Sequence, residues 1–353
     1  MADNSEEKAG ASRREFLKKS GAATAGIVAG GLLEKGASAQ PAPPSLPENP
    51  ASAQAMPTRN LGRTGYRTGI FSLGGQAAIE RAHNEEVAVA IVERALDLGV
   101  NYIDTAAMYG GSARWSQRYI GQVMKRRRNQ TYLASKTNDR TRDGSLRLLE
   151  ESLKLLNTDH LDAWQLHNIT TQGDVDRIFA KGGAIKALEQ AREQKLVRYL
   201  GVTGHTDPEP LMECLRRFPF DQILMALNAA DKHHLSFIEK LLPMAVDKQM
   251  GIIGMKVPAH GRILSSWKPP QGGHSGFEGR ATGPGTLTMK EALFYVLSLP
   301  VSTVIIGCDT VAQLEENVKL AREFTPLSEQ QLAALAQRTE PIARQALFFR
   351  RWA

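Results

Sequence analysis

From residue 70 onward, short apolar runs alternate with longer segments of helical periodicity, and this alternation constrains the fold more than any other feature of the chain. Between the runs, apolar residues recur at helical spacing, for example at Val87, Ile91, Ala95 and Leu98. Eight strand–helix units in about 250 residues predict one (β/α)8 barrel, the TIM barrel. The eight runs are residues 70–73, 102–103, 132–134, 161–166, 199–202, 223–227, 252–255 and 304–306.

An open, doubly wound α/β sheet is the other fold that such units can form. No G-x-G-x-x-G segment follows any of the runs, which disfavours the dinucleotide-binding form of that sheet. The signals for helix starts fit the alternation, because Asp207 offers an N-cap directly before Pro208. Capping boxes are predicted at residues 288–291, 310–313 and 328–331.

Four polar residues follow the second, third and fourth runs, at the strand ends where a TIM barrel carries its chemistry. Because an ammonium favours a neighbouring phenolate, Lys136 is expected to lower the pKa of Tyr109 and make it a usable general acid. Asp104 would hold the ammonium, and His167 would donate a hydrogen bond to a substrate carbonyl oxygen. The set therefore predicts carbonyl reduction by hydride transfer, with Asp104, Tyr109, Lys136 and His167 as its catalytic residues.

This set resembles the active-site pattern of the aldo-keto reductases. In that family Asp and, five residues later, Tyr follow the second barrel strand, Lys follows the third and His the fourth. The likeness runs from about Met56 to the C-terminus and includes the segments MPTRNLGRTG, LGVTGH and QLEENV. It implies a single TIM-barrel domain over residues 56–353, with a hairpin at 58–68 that closes the bottom of the barrel. It also implies an NAD(P)H-dependent reductase of small aldehydes or ketones.

The resemblance implies NADPH as the cofactor, with NADH possible. Two features depart from NADPH-preferring members: the loop after the eighth strand has no basic residue, and Gln313 stands where an arginine is usual. Leu224 and Met255 stand where a glutamine and a tyrosine usually hold the nicotinamide. Lys256 could reach a phosphate or point to solvent. The expected cofactor-binding residues are Thr203, His205, Asn228, Met255, Lys256, Gly307, Cys308, Thr310, Gln313, Glu316 and Asn317.

Two further functional classes stay open. Leu224 and Met255 are consistent with a cofactor-binding, regulatory protein that turns over little. A barrel lyase or aldolase would use Lys136 or Lys256 as a Schiff-base amine, although Asp104 should keep Lys136 protonated. The expected substrate-selecting segments are the loops at 168–183 and 265–285, the tail with Phe348, Phe349 and Trp352, and Trp115.

Residues 1–39 read as a cleavable twin-arginine (Tat) signal peptide. Arg13 and Arg14 lie in the segment SRREFLK, a mildly apolar stretch covers 21–33, and the triplet Ala37-Ser38-Ala39 suits a signal peptidase. The apolar stretch is too short for stable membrane insertion. The Tat export machinery is thus an expected partner, and the expected location is the periplasm, or the cytoplasm if the signal is not used. Residues 40–55, with five prolines, are expected to be a disordered linker.

Composition excludes several other classes. The net charge is +7, but the basic residues are dispersed except at 125–128, which reads as a solvated helix end rather than a nucleic-acid surface. Cys214 and Cys308 are far apart, so neither a metal site nor a disulfide framework is predicted.

Overall fold

A computed structural model describes residues 56–268 and 283–352. Eight parallel strands, β3 to β10, pair in chain order, and β10 pairs with β3 to close a barrel. The predicted TIM barrel is therefore confirmed, and the open sheet is excluded because it would leave two edges. The strands are β1 (Thr58–Asn60), β2 (Arg67–Gly69), β3 (Phe71–Gly74), β4 (Tyr102–Asp104), β5 (Tyr132–Thr137), β6 (Leu161–Leu166), β7 (Val197–Gly204), β8 (Gln222–Ala226), β9 (Gly251–Met255) and β10 (Thr303–Ile306).

The helices lie between the strands and cover the outer faces of the barrel. Because both faces of the barrel strands are covered, the strands read as continuous apolar runs rather than as an alternating pattern. The described helices are α1 (Glu85–Asp97), α2 (Trp115–Arg127), α3 (Arg142–Leu155), α4 (Gln172–Phe179), α5 (Ala184–Glu193), α6 (Pro208–Arg217), α7 (Leu241–Asp247), α8 (Met289–Leu297), α9 (Val311–Arg322), α10 (Glu329–Thr339) and α11 (Ala343–Ala346).

The expected hairpin is present and closes the lower end of the barrel. Strands β1 and β2 pair antiparallel. Gly62 adopts a left-handed conformation (φ +52°), and a Cβ there would lie 2.2 Å from the backbone nitrogen of Gly251. The Arg63 amide donates to the carbonyl of Gln249 at 3.0 Å. The hairpin thus packs on the N-terminal end of β9, opposite the strand ends that carry Asp104 and Lys136.

Most of the predicted helix starts are confirmed, and one is corrected. Asp207 accepts from the Glu209 amide, and the boxes at 288–291 and 328–331 are complete. At 310–313 only half of the box forms. Thr310 accepts from the Gln313 amide, but Gln313 Oε1 accepts from the Asp309 amide at 2.7 Å instead of from Thr310. A long side chain near a helix start can accept a hydrogen bond from either of two adjacent backbone amides. The sequence pattern does not determine which amide it binds.

The predicted loop at 168–183 contains helix α4. Thr171 and Asp174 form a capping box at its start, a signal that the sequence carried. The predicted signal peptide (1–39), the linker (40–55) and most of the segment 265–285 lie outside the described residues. Within the described ranges, no helix combines the length and apolar character needed to cross a membrane.

Candidate active site

Lys136 is the centre of the polar cluster at the C-terminal end of the barrel. It lies within β5, where it pairs with Gln165 of β6, and its side chain is almost completely buried. Its ammonium donates to a carboxylate oxygen of Asp104, to the carbonyl of Thr105 at 2.8 Å, and to the Tyr109 hydroxyl at 3.4 Å. Adjacent strands therefore bring together the acid, the cation and the phenol that the sequence separates.

Tyr109 lies between Lys136 and His167. The ammonium is 4.9 Å from the centre of the phenol ring. The ring of His167 meets the same phenol edge-on, with the ring centres 5.7 Å apart. All four predicted catalytic residues thus lie in one cluster at the C-terminal end of the barrel.

Burial dominates the electrostatics of this pocket. It raises the pKa of Asp104 and lowers that of Lys136, and the attraction between the two opposes both shifts. Burial also places the pKa of His167 well below its ordinary value, with a further lowering by Lys136, Arg140 and Lys256. His167 is therefore a neutral imidazole near pH 7, able to donate one hydrogen bond without competing for a proton.

The expected lowering of the Tyr109 pKa is wrong for this structure. Burial raises that pKa well above 10, and the charges of Asp104 and Glu80 raise it further. The ammonium does not reverse this effect because its strongest bond goes to Asp104. Before a substrate enters, Tyr109 is therefore a protonated phenol.

Several supporting residues were not predicted. Gln165 Nε2 donates to the second carboxylate oxygen of Asp104 at 3.2 Å. Arg140 holds the strand end after β6 by donating to the carbonyls of His167 and Asn168 at 3.0 and 3.1 Å. Gln165 could have been found, because it lies two residues before His167 and a strand has a period of two. Arg140 could not, because no sequence pattern connects it to that loop.

Two of the expected cofactor residues form a network behind His167. The Asn168 amide donates to Thr203 Oγ1 at 2.9 Å, and the Asn168 side-chain oxygen bonds His205 Nδ1 at 2.8 Å. Asn168 itself adopts a left-handed conformation (φ +52°), which asparagine tolerates better than most residues. These hydrogen bonds fix the positions of Asn168 and His205 next to His167.

The hydrogen-bonding groups of the Asn228 side chain all bind other groups of the protein. Its side-chain amide donates to the carbonyls of Ala346 and Lys256, at 3.2 and 3.4 Å, and its oxygen accepts from the Ala230 amide at 3.0 Å. This residue therefore fastens the C-terminal tail to the barrel. Leu224, in β8, is fully buried and has no side-chain group that could form a hydrogen bond.

Lys256 points into the mouth of the barrel rather than to solvent. Its Nζ lies 3.0 Å from His260 Nε2 and donates to Gln76 Oε1 at 3.4 Å. Burial lowers the pKa of Lys256 to about 8, and Glu80 opposes that shift. Lys256 has a left-handed backbone (φ +62°), a strained conformation often found at functional sites. Met255 ends β9 directly beside it.

The remaining expected cofactor positions lie around the start of α9. Asn317 Nδ2 is 3.6 Å from Cys308 Sγ, and both residues are buried. Glu316 is exposed on the helix. Gly307 fits tightly against the loop after β3, since a Cβ there would lie 3.1 Å from the carbonyl oxygen of Gln76. Asp309, the acidic residue in this loop, pairs with Arg81 at 2.6 Å on the surface.

The C-terminal tail forms one wall of the mouth. The guanidinium carbon of Arg262 lies 4.1 Å from the centre of the Phe348 ring. The ring of Phe349 packs near the ring of His205. Trp352 stacks on His234 at 3.9 Å. Trp115, by contrast, packs against Tyr119 and His83 on the helical ring, with ring centres 5.6 and 5.1 Å apart.

A closed parallel barrel whose ion pair, phenol and imidazole converge at the strand ends defines a TIM-barrel enzyme. The sequence model of the Aldo/keto reductase family matches residues 68–340. The chain therefore belongs to the aldo/keto reductase family of oxidoreductases.

The individual relatives have low sequence identity to this chain, but the match extends over nearly the whole length of each of them. The chain is 26% identical to the uncharacterized oxidoreductase YqkF of Bacillus subtilis, over 81% of this chain and 97% of that protein. It is 27% identical to L-galactose dehydrogenase of Arabidopsis thaliana, over 80% and 94%. Among solved structures, the holo form of aldo-keto reductase AKR11C1 from Bacillus halodurans is similar, with a TM-score of 0.65, 25% identity, and coverage of 79% and 96%.

The buried ion pair should dominate local stability. We expect Asp104→Asn or Lys136→Met alone to destabilise the protein by about 3–5 kcal/mol, because each leaves a buried charge without its partner. The double variant should cost clearly less than the sum. Urea unfolding of the four proteins measures this coupling energy.

The exposed pair Lys154–Glu150, at 2.8 Å, is the control for that cycle. Its coupling should be about 0.3–0.5 kcal/mol. If the effects of Asp104→Asn and Lys136→Met simply add, the two residues do not act as a pair.

Proposed function

We propose that the protein reduces small aldehydes or ketones to alcohols with NAD(P)H, using Tyr109 as the general acid. One observation carries this proposal: the buried Lys136 ammonium contacts both Asp104 and the Tyr109 hydroxyl. This arrangement suits a reaction in which a phenol gives up its proton and the resulting negative charge needs a cation already in place.

The high pKa of Tyr109 agrees with such a role. A neutral phenol in the resting protein can donate its proton only when the carbonyl oxygen gains negative charge. At that moment the hydrogen bond from Lys136 strengthens, because its acceptor becomes a phenolate. His167, held neutral, donates its ring N–H to the same oxygen. Asp104 does not transfer a proton, but keeps the Lys136 side chain charged and in position.

The residues at the mouth fit a nicotinamide dinucleotide. Within residues 56–268 and 283–352, the Lys256 ammonium forms no salt bridge with a carboxylate; its hydrogen-bond partners are the neutral side chains of Gln76 and His260, so its charge can bind a diphosphate. Met255 offers an apolar, polarizable surface beside it for a ring. The loop 307–310 leads into α9, whose first amides suit a phosphate oxygen. When bound, the reduced nicotinamide would supply the hydride to the carbonyl carbon.

The comparisons support the reaction class without fixing the substrate. One relative is named L-galactose dehydrogenase and another, 32% identical over 36% of this chain, is named methylglyoxal reductase DkgB of Salmonella typhi. An aldo-keto reductase of Klebsiella pneumoniae with the same fold is described in complex with NADPH. The ion pair at Lys136 disfavours a Schiff-base role for that amine. A cofactor-binding protein with little turnover is the alternative.

Replacing Tyr109 tests the acid. We expect Tyr109→Phe to lower kcat for carbonyl reduction by about 10²–10⁴-fold, the usual contribution of a positioned acid. The dissociation constant of the cofactor, measured by fluorescence titration, should stay within about twofold.

Tyr199→Phe is the matched control, because the Tyr199 hydroxyl bonds the carbonyl of Thr64 at the opposite end of the barrel. This variant should retain turnover. Normal turnover in Tyr109→Phe would refute the acid role. Tight cofactor binding with only single-turnover reduction in the unchanged protein would favour the binding alternative.

Replacing Lys256 tests the cofactor site. We expect Lys256→Met to weaken NADPH and NADH binding by roughly tenfold or more, since a hydrogen bond to a charged group contributes about 1.5–3 kcal/mol. In the unchanged protein, affinity should fall as the pH rises through about 8, because the amine is charged only below its pKa. The variant should lose this pH dependence.

The control for Lys256 is Lys125→Met, in the exposed last turn of α2 at the other end of the barrel. It should leave the titration unchanged. An unaltered dissociation constant in Lys256→Met would show that the diphosphate binds elsewhere.

We also propose that residues 1–39 direct the folded protein to the periplasm by the twin-arginine route. Changing Arg13 and Arg14 together to lysine should retain the protein in the cytoplasm, because an ammonium does not replace the planar guanidinium. Cell fractionation measures the distribution. Lys18 and Lys19 changed to arginine serve as the control and should not alter it. Periplasmic protein with both arginines replaced would contradict this route.

A further inference from the structure

One guanidinium group fastens the loop that follows β6. Arg140 lies three residues after the end of β5. One of its terminal nitrogens donates to the carbonyls of both His167 and Asn168, at 3.0 and 3.1 Å. Its Nε donates to Asp174 Oδ1 at 3.1 Å. A single side chain therefore ties the strand end that carries His167 to the first turn of helix α4.

The Asp174 carboxylate is a fixed anchor for this guanidinium. Its Oδ2 accepts from the backbone amides of Thr170 and Thr171 at 3.1 and 3.2 Å, and from the Thr170 hydroxyl at 2.7 Å. The backbone of Arg140 is held as well, since its carbonyl accepts from the Ala184 amide at 2.9 Å. Because both ends of the Arg140 side chain are fixed, its position does not depend on the loop after β6.

The backbone at Asn168 has a conformation that the guanidinium stabilises. Because an extended strand has a period of two, successive carbonyls along it point to opposite sides. The carbonyls of His167 and Asn168 instead accept from the same nitrogen of Arg140, and Asn168 has a left-handed backbone (φ +52°). A left-handed residue other than glycine persists only where its surroundings hold it. The bonds to Arg140 provide this support at the residue next to His167.

Neighbouring strands hold the opposite side of the same segment. The His167 amide donates to the carbonyl of Thr137 in β5 at 2.8 Å, and the Asn168 amide donates to Thr203 Oγ1 in β7 at 2.9 Å. Strands β5 and β7 thus bind the amides, whereas Arg140 binds the carbonyls. Loss of the bonds from Arg140 should therefore let the segment rotate and shift the imidazole, while the amide bonds keep the strand end folded.

We propose that Arg140 is a positioning residue for His167: its guanidinium holds the carbonyls of His167 and Asn168, and thereby directs the imidazole N–H to the substrate carbonyl oxygen. A planar guanidinium offers donors in several fixed directions, which the single ammonium of a lysine does not. A misplacement of about 1 Å at a reacting group can cost about 10²-fold in rate, so a small shift would suffice. This inference rests on the proposed function, because it assigns Arg140 to a hydrogen bond that His167 donates.

Single-turnover hydride transfer tests this role. The protein, saturated with NADPH, is mixed rapidly with 4-nitrobenzaldehyde, and the decay of NADPH fluorescence gives a rate constant and an amplitude. The amplitude measures the fraction of folded, cofactor-loaded protein, whereas the rate constant measures the reaction within it. We expect Arg140→Lys, which keeps the charge but not the planar group, to lower the rate constant by about tenfold or more. The amplitude should stay the same.

A second variant and a matched control accompany this measurement. Arg140→Gln has a planar amide that is too short to reach Asp174 and both carbonyls, so it should lower the rate constant at least as far. Arg177→Lys is the control, because Arg177 pairs with the same oxygen of Asp174 at 2.9 Å while 66% of its side chain is exposed. Its rate constant should stay within about twofold of that of the unchanged protein. Thermal unfolding of each variant verifies that it folds.

A double-variant cycle tests whether Arg140 acts through His167. In protein that already carries His167→Gln, the further change Arg140→Lys should lower the rate constant by less than about twofold, because the imidazole that Arg140 positions is absent. Such a result separates positioning from a general loss of structure, which would lower the rate in either background. Losses that multiply would show that Arg140 acts on another part of the site and would overturn the proposal.

The outcomes distinguish this inference from the proposed function. Absence of hydride transfer in the unchanged protein, or normal transfer in Tyr109→Phe, counts against the proposed function itself. If the unchanged protein reduces the aldehyde and Tyr109→Phe does not, the acid role stands. Rate constants in Arg140→Lys and Arg140→Gln that equal the unchanged value would then refute the role of Arg140 alone.

Discussion

The ion pair between Lys136 and Asp104 is the interaction on which the rest of the site depends. Both side chains are removed from water, where each charge alone would be costly. The two charges stabilise each other. The Lys136 ammonium also donates to the carbonyl of Thr105, and the Asp104 carboxylate also accepts from Gln165 Nε2. A buried cation fixed in this way can stabilise a neighbouring phenolate without rearrangement, which is the property that a carbonyl reductase needs.

The surroundings of the Tyr109 phenol keep it protonated in the resting protein. Burial and the charges of Asp104 and Glu80 all oppose its ionisation, while Lys136 favours the ionised form only by a longer contact of 3.4 Å. In the proposed reaction, this balance changes when the carbonyl oxygen of the substrate gains negative charge. The same low-polarity pocket that keeps His167 neutral also strengthens every hydrogen bond made to that oxygen.

The region proposed to bind the cofactor departs at several positions from the residues that the family resemblance implies. In the proposed binding mode, Leu224 and the tail-bound Asn228 would offer the nicotinamide few hydrogen bonds, whereas Lys256 would add a cation next to the end of β9. The acidic Asp309, paired with Arg81, occupies the loop before α9. Binding would thus depend more on the diphosphate and less on the ring than in members that keep the usual glutamine and tyrosine.

Sequence patterns alone predicted the barrel and the four residues of the central cluster, because strand periodicity and position after a strand end are local properties of the chain. The hairpin was expected only from the family resemblance. The sequence also located Lys256, but not the direction of that side chain. The tertiary structure decided the features that depend on contacts between distant loops. These are the raised pKa of Tyr109, the hydrogen bond from Asn228 to the C-terminal tail, and the hydrogen bonds that link Lys256 to Gln76 and Gln76 to Glu80. Burial of these side chains and contacts between loops far apart in sequence arise only when the barrel closes. Local sequence patterns therefore could not predict them.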